Sequence, residues 1–268
     1  MTKVHPSAIV ASGAELADDV EVGPFTVIDD DVIVGSGCRI SSSVRIHSGT
    51  RLESGVRIFH GAAIGGEPQD LKFAGEKSEV FIGENTVIRE FVTVSRGTHA
   101  TGRTSIGKNC MLMAYAHVAH DCAVGDNVIM ANSVHLAGHV EVEDNASIGG
   151  VVPVHQFVRI GRHSFIGGGL RVPKDVPPYI LAAGCPLHYC GLNSVGLRRR
   201  GFSLETRTDL KRAYQLIFQS ELNVKQAVER VRAEFAHCPE VQNLLDFIGK
   251  SKRGLLPGNR YEISDEVA

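Results

Sequence analysis

The stretch VASGAELADDVEVGPFTVIDDDVIVGSGCRISSSVRIHSGTRLESGVRIFHGAAI, residues 10–64, decides the fold. Counted in sixes, it places Val10, Leu16, Val22, Ile28, Val34, Ile40, Ile46, Leu52, Ile58 and Ile64 at one phase, ten apolar residues without a break. Two positions before each stands a compact residue, among them Ala14, Val20, Thr26, Cys38, Val44 and Ala62, so both phases point inward. Ile82, Ile88 and Val94 continue the count, and twelve more units run from Ile106 to Val172. A helix would repeat every 3.6 residues and a plain strand every 2, so a period of six means short strands separated by regular corners. Glycine commonly follows the inward residue, as at Gly23, Gly35, Gly83 and Gly107, and is expected to supply the turn. The fold class is therefore mainly β, a parallel β-solenoid.

This pattern resembles the hexapeptide-repeat family, and the resemblance implies a left-handed β-helix with three units per coil, a triangular prism. The 25 units then make about eight coils, a prism about 40 Å tall at roughly 4.8 Å per coil. Two polar stretches, 66–80 (with EPQDLKFAGEK) and 97–103 (GTHATGR), break the period and should loop out. After Val172 come the prolines of PKDVPPY, and from Ser203, a good N-cap, the period becomes helical. Leu210, Tyr214, Ile217 and Phe218 form one stripe, Val224 to Phe235 a second, and a third helix starts at Pro239. The expected organisation is a β-helix over 1–190 and an α-helical C-terminal domain over 191–268. So small a cap should depend on the solenoid or on a neighbouring subunit.

With 43% hydrophobic and 22% charged residues the chain is ordinary for a soluble protein, and a net charge of -2 offers no overall basic field for nucleic acid. No run approaches the roughly 20 apolar residues of an integral membrane segment, so a cytoplasmic protein is expected. The six cysteines form no CxxC pair and suit reduced thiols, with no cysteine metal site.

Chemistry concentrates in 116–156, which holds five of the twelve histidines, none on an inward phase. Residues 18 apart should stack along an edge. His120, Gly138 and Gln156 form one such column, His117 and His135 another, and Asp121, His139 and Phe157 a third. Steps of roughly 4.8 Å let one reacting group touch two or three of them.

The strings QDLKFAGE (69–76), AHVAHDC (116–122), LAGHV (136–140), VHQF (154–157), DVPPY (175–179) and RRGFS (199–203) make the resemblance specific. They are similar to those of the acyl-ACP:UDP-N-acetylglucosamine O-acyltransferases, which open lipid A biosynthesis. The resemblance covers the whole chain. It implies transfer of a (3R)-hydroxyacyl group from acyl carrier protein, through its phosphopantetheine thioester, to the 3-position of the glucosamine ring of UDP-N-acetylglucosamine. No cofactor and no metal are implied, and the assembly is a homotrimer. His120 would be the general base and Gly138 the oxyanion donor. Asp70 and Lys72 would reach the sugar nucleotide from the next subunit. His117, His139, His155 and Gln156 would be further substrate contacts, with Asn193 and Arg199 near the nucleotide. Gly168 sits where acyl length is set. Arg198, Arg200, Lys211 and Arg212, with Arg199, make a basic patch suited to an acidic carrier protein.

Two departures stand out: Val195 occupies a position that usually carries an acid, and Tyr115 replaces a polar residue. They leave open an acceptor with a 3-amino group. Three other readings compete. The later N-acyltransferase of the pathway would carry an extra N-terminal domain, a zinc hydratase of the carbonic-anhydrase type would use His117, His120 and His139, and a purely structural solenoid would give the histidine column no purpose.

Overall fold

The computed structural model describes residues 1–258, so the last ten residues of the 191–268 domain lie outside the described residues. Among the described residues there are twenty-seven strands, numbered in chain order, and four helices. Strands β1 (Lys3–Val4) to β25 (Phe165–Ile166) wind as a left-handed parallel β-helix of three faces. Within one coil the chain passes from the first face (β16, Met111–Leu112) to the second (β17, His117–Val118) and the third (β18, Ala123–Val124). Successive coils pair in parallel at a separation of 18 residues, His117 on His135 and Leu136 on Val154. The step widens only at the two loops, to Ala63 on Thr93 and Thr93 on His117.

Both inward phases are buried. Ile28, Ile46, Ile64, Val118 and Leu136 are at most 1% exposed, and so are their partners Thr26, Val44, Ala62, Ala116 and Val134. Val10 and Leu16 stay half-buried because they lie on the first coil, with no coil beneath.

The corners differ from expectation in one respect. Gly23, Gly35, Gly83 and Gly107 are not left-handed, whereas Gly65, which follows Ile64 where the first loop begins, is, at φ 80°. A β-carbon at Gly23 would lie 2.7 Å from the backbone of Ser41, and one at Gly83 would lie 2.5 Å from that of Gly107, so glycine is needed where consecutive coils touch. The left-handed turn falls instead on a later corner residue, and seventeen non-glycine residues among those described adopt it, including Asp121, His139 and Phe157 at φ 60, 61 and 63°. Each costs about 1 kcal/mol or more relative to glycine, offset by the ladder: His139 N–H donates to the His120 carbonyl at 3.1 Å, and Phe157 N–H to that of Gly138 at 3.2 Å.

The residue just before the left-handed one makes no ladder bond through its N–H. Proline accordingly fits there, as Pro24 before Phe25 and Pro178 before Tyr179 show. His120, Gly138 and Gln156 occupy the same corner position.

Beyond the prism, β26 (Ile180–Ala183) extends the first face and pairs antiparallel with β27 (His188–Leu192), so the 190 boundary falls inside a strand. The cap holds α1 (Ser194–Arg199), α2 (Leu204–Phe218), α3 (Val224–Glu234) and α4 (Pro239–Lys250). Ser203 caps α2 by accepting from Thr206 N–H, and Pro239 opens α4 as expected. The hairpin and the six-residue α1 escaped the periodic count, being too short for a helical stripe and lying outside the sixes. Fully buried Tyr214 of α2 donates its hydroxyl to the Pro178 carbonyl at 2.5 Å, and buried Asp175 accepts from Ser251 Oγ at 2.6 Å. Cap and prism therefore share one core.

Candidate active site

His120 lies on the edge between the second and third faces. Its ring packs against Gly138 one coil on, with Nε2 on the glycine side. On the other side Nδ1 is 2.7 Å from Asp121 Oδ2. Because an ionised carboxylate only accepts, Nδ1 carries the hydrogen and Nε2 keeps its lone pair.

Asp121 is the residue that the sequence reading passed over: it stood in a column, with no role. Its side chain is fully buried. Oδ1 accepts from Thr98 N–H at 3.0 Å and from the Thr101 hydroxyl, while Oδ2 accepts from Thr98 Oγ1 at 2.7 Å. Burial alone pushes this carboxyl up, yet the bonds from Thr101, His120 and Thr98 outweigh it and hold the pKa down at about 2. The second broken stretch, 97–103, thus has a purpose: it closes over Asp121. The visible signal was the aspartate directly after the histidine in AHDC.

His139 stands perpendicular to His120, ring centres 5.2 Å apart, and stacks on Phe157 at 4.5 Å. The ligand atoms that all lie within 4.8 Å of one another belong to His120, Asp121 and His139, not to the trio with His117 that a zinc hydratase would use. His117 sits on the second face, bonded at Nδ1 to Thr93 Oγ1 at 2.7 Å, 6.4 Å from the His135 ring. Burial, then the neighbouring His135 and His120, keep it below its ordinary pKa. His155 Nδ1 meets the Gln156 carbonyl at 3.1 Å, and Gln156 is exposed beside Gly138.

The remaining candidates sit elsewhere on the chain. Half-buried Asp70 and exposed Lys72 form the tip of the first loop, Lys72 N–H donating to Asp70 Oδ1 at 3.0 Å, with Leu71 between them fully exposed. Asn193, Val195, Arg199 and Arg200 line a cavity of about 670 Å³ beside the first face and the corner of Asn145. Asn193 also caps α1 and donates Nδ2–H to the His163 carbonyl at 3.0 Å. Gly168 occupies the edge between the first and second faces, where a β-carbon would lie 3.0 Å from the Gly150 carbonyl. The candidates therefore occupy all three edges of the prism.

Two family models match the chain: "Udp N-acetylglucosamine O-acyltransferase; Domain 2" over residues 175–256, and "Bacterial transferase hexapeptide (six repeats)" over 103–138. The acyl-[acyl-carrier-protein]–UDP-N-acetylglucosamine O-acyltransferase of Chlorobium phaeobacteroides is 61% identical over 255 residues, covering 95% of this chain and 97% of that protein. The UDP-N-acetylglucosamine acyltransferase structure from Bacteroides fragilis superimposes with a TM-score of 0.93 at 45% identity, covering 94% and 99% of the two chains. That from Acinetobacter baumannii gives 0.92 at 41% identity, with the same coverage. The chain belongs to the UDP-N-acetylglucosamine O-acyltransferase family.

This acyltransferase keeps the dyad edge away from the cavity that holds Val195 and Arg199. Tyr115, the other departure, stacks on Phe91 at 5.3 Å on the edge that also carries Gly168, not on that of His120. Of the basic patch, Arg200 bonds to Asn145 Oδ1. Arg198, Arg199, Lys211 and Arg212 are exposed and form no ion pair among the described residues. No helix among them is long and apolar enough to cross a membrane.

Proposed function

We propose that the chain transfers a 3-hydroxyacyl group from acyl carrier protein to the 3-oxygen of the glucosamine ring of UDP-N-acetylglucosamine, the first step of lipid A biosynthesis. The observation that carries the mechanism is the row Asp121, His120, Gly138. Asp121 fixes the hydrogen on Nδ1, so Nε2 takes the proton of the sugar hydroxyl as its oxygen attacks the thioester carbonyl. The tetrahedral oxyanion accepts from the Gly138 N–H, which has no acceptor among the described residues. Collapse expels the thiolate of the phosphopantetheine arm, and the imidazolium returns the proton to sulfur. Asp121 balances the charge on the ring meanwhile. A positioned base contributes roughly 10² to 10⁴ in rate, and one oxyanion donor about 10² to 10³.

Glycine at 138 leaves a bulky thioester room to approach the backbone. Because the dyad and the Asn193–Arg199 cavity lie on different edges of one chain, a substrate that uses both must span neighbouring subunits, which supports a homotrimer. The absence of a long apolar helix among the described residues is consistent with work in the cytoplasm.

The test is His120→Ala, assayed by mass spectrometry with UDP-N-acetylglucosamine, its 3-amino analogue and a panel of hydroxyacyl carrier proteins. The fold should survive, since the ring lies outside the core, and transfer should disappear. Wild-type turnover in this variant would refute the base. Preference for the amino analogue would change the acceptor but not the mechanism.

A further inference from the structure

The two loops that interrupt the prism are tied to each other, and the ties lead to the base. Glu76, near the end of the first loop, accepts from Ala74 N–H at 2.9 Å through Oε2 and from His99 N–H at 2.9 Å through Oε1. His99 directly follows Thr98, whose N–H and hydroxyl both donate to Asp121. Arg96 adds a second tie: its N–H donates to the Gly66 carbonyl at 2.9 Å, and its guanidinium lies 5.2 Å from the Phe73 ring. Loop 97–103 is closed on itself as well, with Gly102 N–H donating to the Thr98 carbonyl at 2.7 Å. A continuous path of bonds therefore runs from the loop that offers Asp70 and Lys72, through Glu76, His99 and Thr98, to Asp121 and His120.

We infer that Glu76 and Thr98 are positioning residues for the acyl transfer, so that the loop presenting Asp70 and Lys72 and the loop holding Asp121 act as one unit that sets the base. This rests on His120 being that base. Thr98 is 2% exposed and aims two donors at a buried carboxylate, an arrangement that does more than close a surface loop. Those donors spread the carboxylate charge. Without them more of it faces the imidazole and favours the imidazolium. Other charges near the ring leave this contrast intact. His139 stands across it, His117 approaches from the second face, and Glu141, Arg159, Lys250 and Lys252 line the groove beyond Asp121. None of them contacts Thr98 or Glu76 through a hydrogen bond or ion pair.

The experiment compares full-length wild type, Thr98→Val, Thr98→Ser, Glu76→Ala and the Thr98→Val/Glu76→Ala double variant. It measures kcat and KM for both substrates across the pH range in which an imidazole titrates. Thr98→Val should lower kcat by up to about 10²-fold, as small misplacements of a catalytic group do, and move the acidic limb of the pH profile upward. Thr98→Ser should restore the wild-type limb. Glu76→Ala should shift the limb the same way and also raise KM for the sugar nucleotide by freeing the loop tip. In the double variant the kcat loss should be no greater than in Thr98→Val alone, because both act through one path.

An unmoved acidic limb in Thr98→Val, or kcat losses that multiply in the double variant, would overturn the inference while leaving the base assignment standing. Should Thr98→Val not fold, Glu76→Ala decides by the same limb, since Glu76 lies outside the buried core. Failure of His120→Ala to abolish transfer would remove the base itself, a separate outcome.

Discussion

A β-carbon on Gly138 would lie 2.6 Å from Cε1 and 2.7 Å from Nε2 of His120, so the glycine and the imidazole share one clearance. Gly138 has no left-handed φ, and alanine can adopt its backbone without strain. Gly138→Ala must therefore displace the ring, the backbone being held by the ladder bond from Phe157 N–H. The expected outcome is a melting temperature close to wild type with kcat lowered by about 10²-fold or more. Thermal unfolding and steady-state kinetics check it, and a fully active Gly138→Ala would mean that the ring does not need this place.

His163 predicts a pH effect away from the dyad. Its ring is stacked on Tyr179 at 5.7 Å and edge-on to Phe202 at 5.0 Å, and its Nδ1 has no partner among the described residues. Burial, then Arg200 and Arg162, hold its pKa down at about 4. A folded-state value below the unfolded value of about 6.5 means that folding favours the neutral ring. Its contribution is complete above about 6.5 and is lost as pH falls through the folded value. Urea unfolding midpoints should therefore drop as pH falls across that window, and His163→Phe should flatten the drop. Phe157 shows that phenylalanine tolerates this corner conformation. An equal slope in both proteins would place the acid sensitivity in other groups.

The prism was legible because every coil repeats the same physical demand: two inward phases in six residues, buried to a few per cent at Ile64 and Val118 alike. The column His120, Gly138, Gln156 followed from the same count and is present in the structure. What the count could not show are contacts that leave it. Thr98 reaches Asp121 across 23 residues, through an insertion with no period of its own. The glycines were visible, but their reason was not, since the approach of Gly83 to Gly107 is a property of stacked coils and not of one turn. Asn193 reads in sequence as a site residue, and only the structure shows its amide committed to Gly196 N–H and the His163 carbonyl. The hairpin of β26 and β27 lies where the sixes have ended and no helical stripe has begun.

The basic patch divides into two parts with different expected partners. Arg199 opens onto the cavity lined by Asn193 and Val195, where a guanidinium suits a pyrophosphate by geometry and permanent charge. Lys211 and Arg212 lie on the exposed side of α2, Lys211 beside a separate depression lined by Tyr189 and Gln215. Such exposed cations act on a large acidic protein through its field, which salt screens over roughly 10 Å at 0.1 M. Reversing them as Lys211→Glu/Arg212→Glu should raise KM for acyl carrier protein several-fold at low salt and leave KM for the sugar nucleotide unchanged. High salt should remove most of the difference by weakening the wild type. Arg199→Ala should do the reverse, raising KM for UDP-N-acetylglucosamine while the carrier-protein KM keeps its wild-type value and salt dependence. The comparison needs both substrates varied at two salt concentrations. If both variants raised the same KM, the patch would be one surface with one partner, and its division between cavity and helix would have no functional meaning.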